Sequence, residues 1–83
     1  MVASLKILVA DDMVQIRKIL NFSLRQAGYE VITAENGQEA LEIIFSPMPP
    51  DLIILDIMMP LVDGYAVIKK IRNTEICLSC IFI

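Results

Sequence analysis

Two acidic residues stand side by side at Asp11-Asp12, and a third, Asp56, closes the apolar run DLIILD at 51–56. Carboxylates brought together repel one another, and either raised pKa values or a bound cation must offset that repulsion. The chain has no histidine, and a donor set made only of oxygens favours a hard ion such as Mg²⁺. An aspartate beside such an ion can attack a phosphoryl donor and form an acyl phosphate, while the ion neutralises charge on the transferring oxygens. Read singly, the acids have plainer roles. Asp12 can cap the first helix, Asp51 can open its strand, and Asp63-Gly64 is a common turn pair.

Whether these acids meet depends on the elements that carry them. Four apolar runs have strand length: LKILVA (5–10), YEVITA (29–34), DLIILD (51–56) and ICLSCIFI (76–83). Most are rich in β-branched residues, and three show little alternation, which predicts burial on both faces of a parallel sheet. Helical patterns lie between them. Over 14–27, Ile16, Leu20, Leu24 and Ala27 form one stripe with Ile19 beside it, and Gly28 follows as a left-handed terminator. Over 37–45 the stripe is Ala40, Leu41, Ile44 and Phe45, and Pro47, Pro49 and Pro50 end it. A third helix is expected over 65–72, with Ile68 and Ile71 inward. Strands that alternate with helices imply parallel strands joined by right-handed crossovers. Ligands of such sheets bind beyond the carboxyl ends of the strands. Asp11, Asp12 and Asp56 all lie at such ends, so neighbouring first and third strands would bring them into one crevice.

The chain has 83 residues, enough for one small domain of marginal stability. It is 57% hydrophobic and only 20% charged, against about 45–50% apolar in ordinary domains, so either the core is unusually complete or apolar surface is left for a partner to cover. A net charge of −3 without a basic patch argues against nucleic-acid binding. No apolar stretch reaches the roughly 20 residues that span a bilayer, and MVASLKILVADD lacks the features of a signal peptide. A cytoplasmic location is therefore expected. Cys77 and Cys80 form a CxxC pair in an apolar tail. With no third soft ligand they read as buried free thiols rather than a zinc site.

KILVADD (6–12), Arg17, Gly28-Tyr29-Glu30-Val31, AENGQEAL (34–41), DLIILDIMMPLVDG (51–64) and IKKIR (68–72) together resemble the receiver domain of two-component response regulators. The resemblance spans nearly the whole chain, and the motif around Asp56 is highly specific. It implies a flavodoxin-like, doubly wound α/β fold with strand order 2-1-3-4-5. It also implies that Asp56 is the phosphoacceptor and that a sensor histidine kinase is the phosphodonor. Asp11 and Asp12 would then be the acidic pair of a Mg²⁺ site that Asp56 also ligates, Asp12 the more direct ligand of the pair and Asp11 acting partly through water. The backbone carbonyl of Met58 would complete the protein's share, and Pro60 with Asp63-Gly64 would shape the loop that follows.

The sequence departs from that pattern at its end. ICLSCIFI fits the fourth strand, and the family's Ser or Thr after that strand and its Lys after the fifth have no counterpart here. The expectation is one receiver domain over 1–83, truncated after the fourth strand, with about four strands ordered 2-1-3-4 and three helices. Its fourth strand would be a bare apolar edge, which invites pairing with another chain. A homodimer through that edge, or by exchange of elements, follows from this. The leading functional expectation is a phosphoacceptor module that is impaired as a switch and is not an enzyme. The alternative is a non-signalling fragment that folds and assembles. An aspartate-based phosphatase would need an acid two residues past Asp56, where Met58 stands. Dinucleotide binding would need a Gly-rich loop where DDMVQI stands.

Overall fold

The computed structural model describes residues 5–56, 66, 67, 69, 70 and 79–82. The elements run β1 (Lys6–Ala10), α1 (Val14–Gln26), β2 (Glu30–Ala34), α2 (Gly37–Ile44), β3 (Leu52–Leu55) and β4 (Ser79–Phe82). Residues 66, 67, 69 and 70 are helical, within the stretch read from sequence as a third helix. Ile68, Ile71, Met58, Pro60, Asp63, Gly64 and Cys77 lie outside the described residues, as does the side chain of Cys80.

The strands form one parallel sheet in the order β2-β1-β3-β4. The chain leaves β1 for β2 on one side and then returns to β3 on the other. This reversal puts a crevice beyond the carboxyl ends of β1 and β3, where open α/β sheets bind their ligands. Register fixes the level of that crevice. Ala10 lies opposite Ala34 on one side and opposite Leu55 on the other. The next residues, Asp11, Glu35 and Asp56, therefore leave the sheet at one height.

Each face of the sheet has its own core. Leu8, Ala10, Ala34, Ile53 and Leu55 pack with Ala40, Leu41 and Ile44 of α2 and with Val67. On the other face Ile7, Val9 and Val31 meet Leu20 and Leu24 of α1, with Leu52 and Ile54 alongside. The second core is the weaker one, because no residue of α1 is fully buried. Ile19, expected beside the buried stripe, is 61% exposed, and Phe22 is 66% exposed. The expectation of strands buried on both faces holds for β1 beyond Lys6. In β3 the residues alternate between half-buried and buried, because α1 lies over β1 and β2.

Local chemistry sets the helix ends. Helix α1 stops where Gly28 adopts φ 97°. There the Tyr29 N–H donates to the Leu24 carbonyl at 3.1 Å and the Gly28 N–H to the Arg25 carbonyl at 3.0 Å, a Schellman arrangement that needs a left-handed residue. Helix α2 starts at Asn36, whose side chain accepts from the Glu39 N–H at 2.9 Å, and Glu39 Oε1 in turn accepts from the Glu35 N–H at 2.9 Å. Phe45, placed on the α2 stripe from sequence, is the C-cap and is 43% exposed. Asp51 does more than open its strand: its Oδ2 accepts from the Lys6 N–H at 2.8 Å.

Candidate functional site

Backbone pairing delivers the acids to the crevice. The Asp11 N–H donates to the Ala34 carbonyl at 3.1 Å, and the Asp56 N–H donates to the Ala10 carbonyl at 2.9 Å. Both carboxylates thus stand on rungs that continue the sheet by one residue. Asp12 follows in the turn into α1. One carboxylate oxygen each from Asp11, Asp12 and Asp56 lies within 4.8 Å of the others. Asp11 is buried, Asp56 half-buried and Asp12 exposed, so the cluster runs from the sheet edge outward to solvent.

The plain role open to Asp12 is not realised. The N-cap of α1 is Met13, without a side-chain cap bond. Asp11 performs the nearest equivalent, its Oδ1 accepting from the Met13 N–H at 2.9 Å. Asp12 is thereby left for the cluster.

Electrostatics at Asp11 show the strain of the arrangement. The residue is only 3% exposed. Burial raises its pKa above the usual 3.8, the Met13 N–H pulls it back, and the charges of Asp56 and Asp12 push it up again. A side-chain hydrogen bond to Asp56 adds to the rise. A divalent cation would offset most of this repulsion. The donors are oxygens throughout, which suits a hard ion.

Sequence reasoning brought together Asp11, Asp12 and Asp56, and the structure does the same. The Met58 carbonyl lies outside the described residues. Arg17 was legible only as part of a resemblance, yet its guanidinium is inside the architecture of the site. Its Nη1 donates to the Asp11 backbone carbonyl at 2.7 Å, and its Nη2 lies 3.9 Å from Glu35 Oε1. The available signal was a cation five residues past an acidic pair, on the first turn of the following helix.

A family model for the response regulator receiver domain matches residues 7–83. The "Probable transcriptional regulator ycf27" of Porphyra purpurea is 57% identical over 68 residues, which is 82% of this chain and 28% of the relative. The chain thus spans about a quarter of that relative's length. Among solved structures, the response regulator protein TrrA of Thermotoga maritima, in complex with Mg²⁺-BeF, superposes with a TM-score of 0.77 at 48% identity, covering 84% of this chain and 60% of that one. The structure of histidine kinase ThkA in complex with TrrA contains a match with a TM-score of 0.83 at 45% identity, covering 93% of this chain and 66% of that one.

Proposed function

The chain belongs to the response regulator receiver family, and from that premise we propose that Asp56 accepts a phosphoryl group from a phosphohistidine of a sensor histidine kinase. The observation that carries this reading is the convergence of the Asp11, Asp12 and Asp56 carboxylates at the switch point of the sheet. The histidine kinase as partner is supported by the ThkA–TrrA complex, and Mg²⁺ as the ion by the TrrA complex with Mg²⁺-BeF.

In the proposed reaction an Asp56 carboxylate oxygen attacks phosphorus. The P–N bond to the donor imidazole breaks, and an acyl phosphate forms on Asp56. Asp11 and Asp12, with the backbone carbonyl of Met58, would hold Mg²⁺ beside Asp56. When bound, the ion supplies positive charge to the transferring oxygens. Asp12, exposed at the rim, is the ligand best placed to take up the ion from water. The chain would turn over no external product, so its role is that of a signalling module in the cytoplasm rather than an enzyme. No helix among the described residues is long and apolar enough to cross a membrane.

A second reading concerns assembly. Strand β4 is terminal in the described sheet, and large apolar side chains such as Ile19 and Phe22 are exposed. We read the chain as a homodimer formed through the β4 edge or by exchange of elements. Sedimentation showing only monomer at high concentration would refute this without touching the phosphoacceptor reading.

Intact mass after incubation with Mg²⁺ and acetyl phosphate tests the main reading. The expected result is one added phosphoryl group in the parent chain and none in Asp56→Ala. No gain in the parent, or a gain that survives in Asp56→Ala, removes Asp56 from the role.

A further inference from the structure

Arg17 is the basic side chain tied most closely to the acidic cluster among the described residues, and it reaches that cluster through the main chain. Its side chain is 14% exposed, so it is held in place and not solvated. The bond from Nη1 to the Asp11 carbonyl is short, at 2.7 Å, while the approach of Nη2 to Glu35 is long, at 3.9 Å. The first is within hydrogen-bond range, whereas the second is an ion pair beyond it to a largely solvent-exposed carboxylate, so the first is the stronger tether.

The bonded carbonyl belongs to the peptide that joins Asp11 to Asp12. That unit is planar, so pinning its oxygen fixes the angle at which one aspartate follows the other. Asp11 has further anchors in the Ala34 carbonyl and the Met13 N–H. Asp12 has none: among the described residues no hydrogen bond holds its carboxylate. The direction of Asp12 therefore depends on this peptide. We propose that Arg17 is a positioning residue for the cation site, fixing the Asp11–Asp12 peptide so that both carboxylates converge on Asp56. The proposal rests on the reading of the acids as a Mg²⁺ site.

The test is a MgCl₂ titration of the full chain without phosphodonor, followed by the backbone amide shifts of residues around Asp12 and Asp56. Outer partners of metal ligands typically change affinity by 10-fold or more, and Arg17→Met is expected to weaken Mg²⁺ binding by about tenfold. Arg17→Lys keeps the charge and a donor that can reach the carbonyl, so it should recover most of the loss. Glu35→Gln leaves the carbonyl bond intact and should stay within twofold of the parent. A purely structural Arg17 would lower the melting temperature of the metal-free chain and leave the Mg²⁺ dissociation constant unchanged. Arg17→Met within twofold of a parent that binds Mg²⁺ overturns the proposal alone. If Arg17→Met does not fold, Arg17→Gln is judged by the same twofold criterion. A parent with no Mg²⁺-dependent shifts overturns both the proposal and the reading beneath it.

Discussion

The N–H of Asp56 donates to the carbonyl oxygen of Ala10 at 2.9 Å, one residue beyond the last paired residues of β1 and β3. This single rung explains why an apolar strand closes on a carboxylate. Ile53 and Leu55 are fully buried, and the pairing that buries them carries the next residue to the carboxyl end of β1, beside Asp11.

The raised pKa of Asp11 makes stability depend on pH. The folded chain holds this proton more tightly than the unfolded chain, whose value lies near 3.8. Stability contributed at this site is therefore complete below the unfolded value and falls as pH rises through the folded one. Asp11→Asn removes the dependence and can still accept from the Met13 N–H. In metal-free buffer at pH 7 this variant should melt at a higher temperature than the parent. The difference should close as the pH is lowered toward 3.8. Parallel melting curves across that range would show that Asp11 is not the group responsible.

Divalent cation should reverse the same penalty. At a free Mg²⁺ concentration of about 100 times its dissociation constant, the parent is expected to gain about 2.7 kcal/mol. Asp56→Asn and Asp11→Asn should each lose most of that gain. The effect should also fade in acid, where Asp11 takes up its proton and no longer competes for the ion. Thermal melts with and without MgCl₂ at two pH values supply the measurement.

The core beneath the site carries the fold. Leu8 and Ile53 are both fully buried and belong to the cluster that α2 covers. Leu8→Ala is expected to cost about 2–5 kcal/mol, enough to unfold much of so small a chain. Removing one methylene in Ile53→Val should cost about 0.5–1.5 kcal/mol and leave a folded protein. Urea melts would rank the two, and equal costs would contradict the packing described here.

Gly28 supplies a sharper test of local backbone. Its φ is 97°, and an added Cβ would meet nothing within 4 Å. Gly28→Ala is therefore a measure of left-handed strain without steric contact, about 1–2 kcal/mol. A smaller loss in a urea melt would mean that α1 can end without this residue.

Much of the fold was legible because its signals are local. The apolar runs ending at Ala10 and Ala34 became β1 and β2 almost residue for residue, since continuous β-branched stretches have few other solutions. Gly28 marked the end of α1 for the same reason. The convergence of Asp11 and Asp56 was legible only through a topological rule about strand ends, and it depended on β1 and β3 being neighbours. What sequence could not supply were contacts across the chain. Arg17 lies on a polar face of its helix beside Lys18, and only its spacing from the acidic pair sets it apart. Its partner is a backbone carbonyl, which carries no side-chain signature. The stripe of α1 misled in the opposite direction. Period alone cannot tell how much of the second sheet face a helix covers, so Ile19 counted as nearly inward although it is exposed.

The common height at which Asp11, Glu35 and Asp56 leave the sheet has one more consequence. A slip of β3 by two residues against β1 would keep Ile53 and Leu55 on their own face, so hydrophobic burial alone discriminates poorly against it. It would, however, move Asp56 by about 6.6 Å along the strand. An ion that needs Asp11, Asp12 and Asp56 together would not bind that slipped chain. The acidic cluster then acts as a proofreader of strand alignment, rewarding the one pairing in which it is whole.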